Sequence, residues 1–160
     1  MNMTINILAI VLSYAFMEFV AWSNHRYVMH GFLWSWHKDH HIHDAKRADD
    51  EIRKQKGFEK NDRFFLIYAI PAIILMITGF SVQEYLLVYI AVGITLYGFT
   101  YFMLHDVVYH KRFRVPFLQK NNNRYTRAII AAHRAHHKPR NMKDFNNYGL
   151  LVFNKRYFKA

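Results

Sequence analysis

The 160-residue sequence contains no cysteine, only three prolines, and no lysine or arginine in residues 1–24 or 64–110. Without cysteine there are no disulfides and no thiolate metal sites. No period of the solenoid kind runs along the chain either. The missing charge is concentrated in three segments. Residues 4–22 hold one charged side chain, and residues 64–82 and 85–104 hold none. Each is long enough to cross a bilayer as a helix, which takes about 20 residues. The alternative, three buried core helices of a soluble protein, is disfavoured by three such uncharged segments with no amphipathic stripe. The reading is an all-α integral membrane protein, a single domain with three transmembrane helices over about 4–22, 64–82 and 85–104.

What the spans lack, the rest supplies. The 22 lysines and arginines divide into nine within 26–63 and thirteen within 111–160. By the positive-inside rule both basic segments face the cytoplasm, and the N-terminus and the turn after residue 82 face outward. The net charge of +11 is thereby assigned to orientation and anionic lipid headgroups, with no nucleic-acid partner required. The first span lacks a basic leader and is too long for a cleaved signal peptide. Two spans separate the basic segments, so both emerge on one side, and the expected location is a bacterial inner membrane.

Histidine is the other abundance. Residues 25–43 carry six, 105–110 two and 133–137 three, with none between 44 and 104. One pattern, H-x4-H followed by H-x2-H-H, occurs twice, as His25, His30, His37, His40, His41 and as His105, His110, His133, His136, His137. In "HKDHH" and "HRAHH" the rings at i, i+3 and i+4 share a helix face. The pairs five apart differ by about 140° on an ideal helix, so an unwinding, bulge or kink is expected at one of them, the alternative being two rings that reach around a metal beside the helix. Ten imidazoles suffice for two metals with five each, and two copies suggest two similar half-sites. Neutral imidazole suits iron, zinc, copper or nickel. Asp39 and Asp106 lie inside the boxes and are candidates to accept ring N–H bonds, the alternative being solvated carboxylates. His43 falls outside the pattern. Glu18 is a carboxyl inside the first span, seven residues before His25 and on its side, and is expected to support the metal ligands or relay protons, against an interfacial carboxyl kept protonated.

Further expectations concern the connecting segments. Residues 44–63 read as a charged arm, helical up to Gly57. Residues 114–124 read as a surface loop and 125–137 as a helix too short to span. The aromatic, basic tail is expected against the headgroups, with Trp22, Trp34 and Trp36 as an aromatic belt. Gly93 and Gly98 permit close approach, either of substrate or of a neighbouring helix.

The stretches "MEFVAWSNHRYVMHGFLWSWHKDHH" at 17–41, "FEKND" at 58–62, "LYGFTYFMLHDVVYH" at 96–110 and "AAHRAHH" at 131–137 together resemble the membrane fatty acid hydroxylase and desaturase superfamily, and within it the bacterial β-carotene hydroxylases. That resemblance implies a non-haem di-iron centre on the ten boxed histidines, a counterpart for Glu18 and none for His43. It implies oxygen-dependent hydroxylation of β-carotene at ring carbons 3 and 3′, giving zeaxanthin through β-cryptoxanthin. Electrons would come from a ferredoxin-type or NAD(P)H-linked donor. The chain departs from the pattern in its longer charged connector and in showing no fourth span. Alternatives of the same chemistry are a carotenoid ketolase, a fatty acid or sterol hydroxylase and a desaturase. A metal transporter belongs to another class, but its ligands would sit near mid-membrane, whereas these begin after Trp22 and Leu104. A bis-histidine haem protein would need two axial ligands, not ten.

Overall fold

The computed structural model describes residues 2–45, 58–120 and 123–159. Among these the architecture is helical, with no strand: α1 Met3–Ser23, α2 Trp34–Ala45, α3 Leu66–Ser81, α4 Tyr85–Tyr101, α5 Pro116–Lys120, α6 Arg124–His137 and α7 Met142–Phe145. The expected helix up to Gly57 lies, beyond residue 45, outside the described residues.

Three helical runs are long and apolar enough to cross a membrane: Met3–Phe32, Lys60–Ser81 and Tyr85–Tyr109. Their outward faces carry exposed Ile5, Leu8, Leu12, Phe16, Ile70, Ile73 and Ile77. A continuous apolar exterior of this kind costs free energy in water and none in lipid. The chain is a membrane protein. Its internal contacts centre on α4, which packs against both α1 and α3. Tyr97 is fully buried at the middle of that trio, beside Met17, Ala21 and Ala72. Gly93 settles the competition over its role: a Cβ there would land on Ser13 Oγ and the Ile10 carbonyl of α1, so this glycine serves helix packing. Gly98 instead faces Tyr68 of α3, whose Cβ lies 3.3 Å from where its own would be.

Start and stop signals are local. Asn2 accepts from the Thr4 amide at α1, and Asn123 accepts from the Thr126 amide at α6. Glu59 and Asp62 form a reciprocal capping box over the 3₁₀ turn Lys60–Phe65 that leads into α3.

Segment 114–124 departs from the expected surface loop, because Pro116 begins α5; its fixed φ suits a first helical position, where no N–H is needed. The tail also differs from a simple headgroup layer. Tyr148, Leu150 and Tyr157 are buried, with Tyr157 packed on Ala128 and Ala132 of α6.

Candidate metal centre

The distortion expected at one pair of histidines five apart is present at both. Asn24–Phe32 and Phe102–Tyr109 are π-helical continuations of α1 and α4. In a π-helix the amide bonds run i→i+5, as from His110 N–H to the His105 carbonyl at 2.9 Å. Residues five apart therefore stack along one face. That brings His105 Nε2 and His110 Nε2 to 3.2 Å and the His25 and His30 rings to 5.0 Å. At Gly31 the backbone leaves helical geometry, turning the chain into α2, which carries the next three histidines.

All ten boxed imidazoles converge at this end of the helices, in two groups. His25, His30, His37, His41 and His136 have nitrogens within 4.8 Å of one another, and so do His40, His110, His133 and His137. His105 joins the second group through His110, with its ring 4.9 Å from that of His133. The groups are not the two sequence copies. Each copy hands its fourth histidine, His40 or His136, to the other. Helix geometry explains the exchange: residues i and i+4 are about 40° apart, whereas i+3 is turned about 100° from i+4. His37 and His41 thus point to one centre and His40 to its neighbour, and the same holds for His133, His137 and His136.

The outer ring nitrogens are held by acceptors. His25 Nδ1 donates to the Tyr148 carbonyl (2.9 Å), His136 Nδ1 to the Phe145 carbonyl (2.7 Å) and His37 Nδ1 to Asn61 Oδ1 (2.7 Å). His110 and His105 Nδ1 lie 3.2 Å from Asp44 and Asp106. Longer approaches of 3.5 Å link His40 to Glu59 and His137 to Asp44. A proton committed to Nδ1 leaves Nε2 with a lone pair. His25 and His37 then face each other at 3.2 Å, and His105 and His110 also at 3.2 Å, lone pair against lone pair. These contacts are not hydrogen bonds; a cation between the nitrogens would turn repulsion into coordination. The spacing agrees: metal–imidazole bonds of about 2.0–2.1 Å put neighbouring donor nitrogens about 3 Å apart at right angles. The remaining Nε2 pairs span 3.0–3.3 Å. The donor set fits a metal centre.

Electrostatics keep the donors neutral, which is the form that binds metal. Burial lowers the pKa of His41 to about 2, and burial followed by the facing His30 lowers that of His136 to about 3. Burial also holds His37, His133 and His137 well below the ordinary imidazole range.

The other candidates separate. Asp106 orients His105 and is itself held by Arg112 at 3.0 Å. Asp39 and His43 are exposed, as solvated groups. Glu18 reaches no imidazole. Its Oε1 accepts from the amides of Leu150, Leu151 and Val152 at 3.0, 2.9 and 2.9 Å, and its Oε2 from Tyr97 OH at 2.6 Å. It fastens the segment whose Tyr148 carbonyl orients His25. Trp34, which is exposed, also flanks the site, lying 5.1 Å from His30 and 5.6 Å from His41 ring to ring.

Sequence reasoning missed Asp44, Glu59 and Asn61. Asp44 was findable, since it stands three residues after His41 and four after His40 on the same helix. Its carboxylate is buried and also accepts from Tyr109 OH at 2.7 Å. Glu59 and Asn61 lie in "FEKND", a segment noted for its resemblance but given no role. The two carbonyls carry no sequence signal.

A family model described as fatty acid hydroxylase matches residues 10–159. The chain belongs to that family. Among curated relatives it is 35% identical to a protein named beta-carotene hydroxylase from Pseudescherichia vulneris, over 96% of this chain and 80% of that protein. It is 40% identical to one of the same name from Paracoccus sp. (strain N81106 / MBIC 01143), over 82% of this chain and 74% of the relative. A plant protein, beta-carotene 3-hydroxylase 2 of Arabidopsis thaliana chloroplasts, is 36% identical over 76% of this chain and 37% of its own length. No solved structure matches. Family membership agrees with the resemblance read from the histidine boxes and makes the chain a hydroxylating oxidoreductase of the membrane.

Proposed function

We propose that each imidazole group holds one iron and that the protein hydroxylates the rings of β-carotene at carbons 3 and 3′, giving zeaxanthin through β-cryptoxanthin. The reading is carried by the two interlocked five-imidazole groups, with lone pairs turned inward, at the membrane end of a chain whose relatives bear the name beta-carotene hydroxylase. When bound, the irons supply activation of O2, with two electrons from a ferredoxin-type or NAD(P)H-linked donor and two protons. The chain's own work is positional. Ten histidines hold the metals, and Asp44, Asp106, Glu59, Asn61 and two main-chain carbonyls fix the ring tautomers. The burial of nine of those histidines excludes water. Glu18 is a positioning residue that acts on His25 through the tail.

The orientation follows from charge: N-terminus outside, with the histidine-bearing helices and the C-terminus forming a cap on the cytoplasmic side of a bacterial inner membrane. A carotene reaches such a site through lipid and the electron donor through the cytoplasm. Expression in bacteria that accumulate β-carotene, followed by pigment chromatography, is the test. Zeaxanthin and cryptoxanthin are the expected products; their absence from cells that contain the protein overturns the reading.

A further inference from the structure

A line of phenols runs through the helical trio, and hydroxylation does not call on it. Tyr101 of α4 stacks on His105, with ring centroids 4.8 Å apart. Tyr68 of α3 follows at 5.6 Å from Tyr101, and Tyr97 of α4 at 5.8 Å from Tyr68. The line starts at a boxed imidazole, enters the bundle and ends at a carboxylate, because Tyr97 OH donates to Glu18 Oε2 at 2.6 Å. Packing alone does not require phenols here. Phenylalanine fills nearly the same space with no hydroxyl to satisfy, and it is the residue used on the exposed side of the same helices, at Phe16, Phe80 and Phe99. What a phenol adds is an electron that can be withdrawn together with its proton, if an acceptor for the proton stands ready. Glu18 meets donors in all these contacts, three amides on Oε1 and the phenol on Oε2, so Oε2 can take up that proton across a short bond. Tyr109 makes a comparable bond to Asp44. Asp44, however, also fixes the rings of His110 and His137, and a proton arriving there would disturb both; Glu18 touches no imidazole.

Resting on the function proposed above, we infer that Tyr101, Tyr68 and Tyr97 form a relay through which oxidising equivalents leave the metal centre when O2 is activated with no carotene in place. Tyr97 gives up one electron, through Tyr68, Tyr101 and His105, to the oxidised centre. Its O–H bond breaks, the proton passes to Glu18 Oε2, and a neutral tyrosyl radical remains. One electron from the external donor, returned along the same rings, and the proton held by Glu18 restore the phenol. Over the full cycle four electrons and four protons, all from outside the chain, convert O2 to two waters. The groups protected are those an unused oxidant would reach first: the ten imidazoles and Met29, which is buried and lines one cavity with His105.

The test uses full-length, iron-loaded protein, reduced, mixed with O2 in the absence of substrate and frozen for electron paramagnetic resonance. A tyrosyl signal is expected, narrowed in protein made with ring-deuterated tyrosine and suppressed by excess β-carotene, which takes the oxidising equivalents instead. Tyr97→Phe removes the phenol and Glu18→Gln the proton acceptor; each should abolish the signal at unchanged metal per chain. Tyr68→Phe interrupts the line without touching Glu18 and should do the same, and it decides if the other two variants fail to fold. Oxidation of Met29 and of the boxed histidines, read by peptide mass spectrometry after incubation with O2 and reductant, should rise severalfold in these variants. Absence of a tyrosyl signal from wild-type protein overturns the inference, as does a signal that survives Tyr97→Phe, such as a radical at Tyr109 beside the metals. A signal equally strong with carotene present, or unchanged oxidation of Met29 and the histidines, overturns the protective role. Hydroxylated pigment is scored on the same wild-type protein. Product without a radical overturns this inference alone, whereas no product from β-carotene overturns the function and this inference with it.

Discussion

His40 and His136 are the residues on which the two halves of the site exchange. Because each belongs to the group built mostly by the other sequence copy, removing one should empty one centre and leave the opposite one occupied. His40→Ala and His136→Ala proteins are expected to retain about half of the wild-type metal, as measured by mass spectrometry, and to yield no hydroxylated pigment. Full metal content in either would contradict the exchange. Asp44 is the outer residue that serves most groups at once, through His110, His137 and Tyr109. Its replacement by asparagine keeps the shape and removes the charge, so metal affinity should drop about 10- to 100-fold in a chelator titration. Glu18 belongs to stability as much as to the site. Glu18→Ala strands three amides and a phenol, a loss of about 2 kcal/mol or more. Faster removal of the tail by proteinase K and a lower melting temperature in detergent are the expected signs; unchanged digestion would show that the tail docks without it.

Among the elements, the π segments have the most direct consequence. A regular α-helix through either segment would swing one of its two histidines away, so the departure from 3.6 residues per turn is what turns both rings of H-x4-H to one site. The contact of α1 with α4 is equally specific, for at Gly93 the backbones approach too closely to admit a side chain. Gly93→Ala should cost about 1–3 kcal/mol by overpacking, read as a lower detergent melting temperature. A neutral result would mean that α1 can shift outward without loss. The short segment 58–62 also acts as a unit, since Glu59 reaches His40, Asn61 reaches His37, and Asp62 holds the Arg112 that supports Asp106. One strap thereby braces both groups.

For the whole molecule, the placement of cations predicts sidedness. A phosphatase reporter active only outside the cytoplasm should be active when inserted at Gln83, in the turn between α3 and α4, and silent at the C-terminus. The reverse pattern would place the imidazole groups on the outer side.

The sequence by itself determined the number of spans and the histidines that gather, because an uncharged stretch of about 20 residues has few solutions other than a membrane helix and a repeated pattern survives without coordinates. It also foretold a backbone distortion, from the 140° mismatch alone. Only the tertiary structure decided which histidine joins which group, that Glu18 grips the tail, and that Asp44, Glu59 and Asn61 stand behind the rings. Periodicity fixes the face on which a side chain lies but not the partner brought opposite it; that depends on how α2, α6 and the tail pack against one another, through contacts spanning up to 134 residues of sequence.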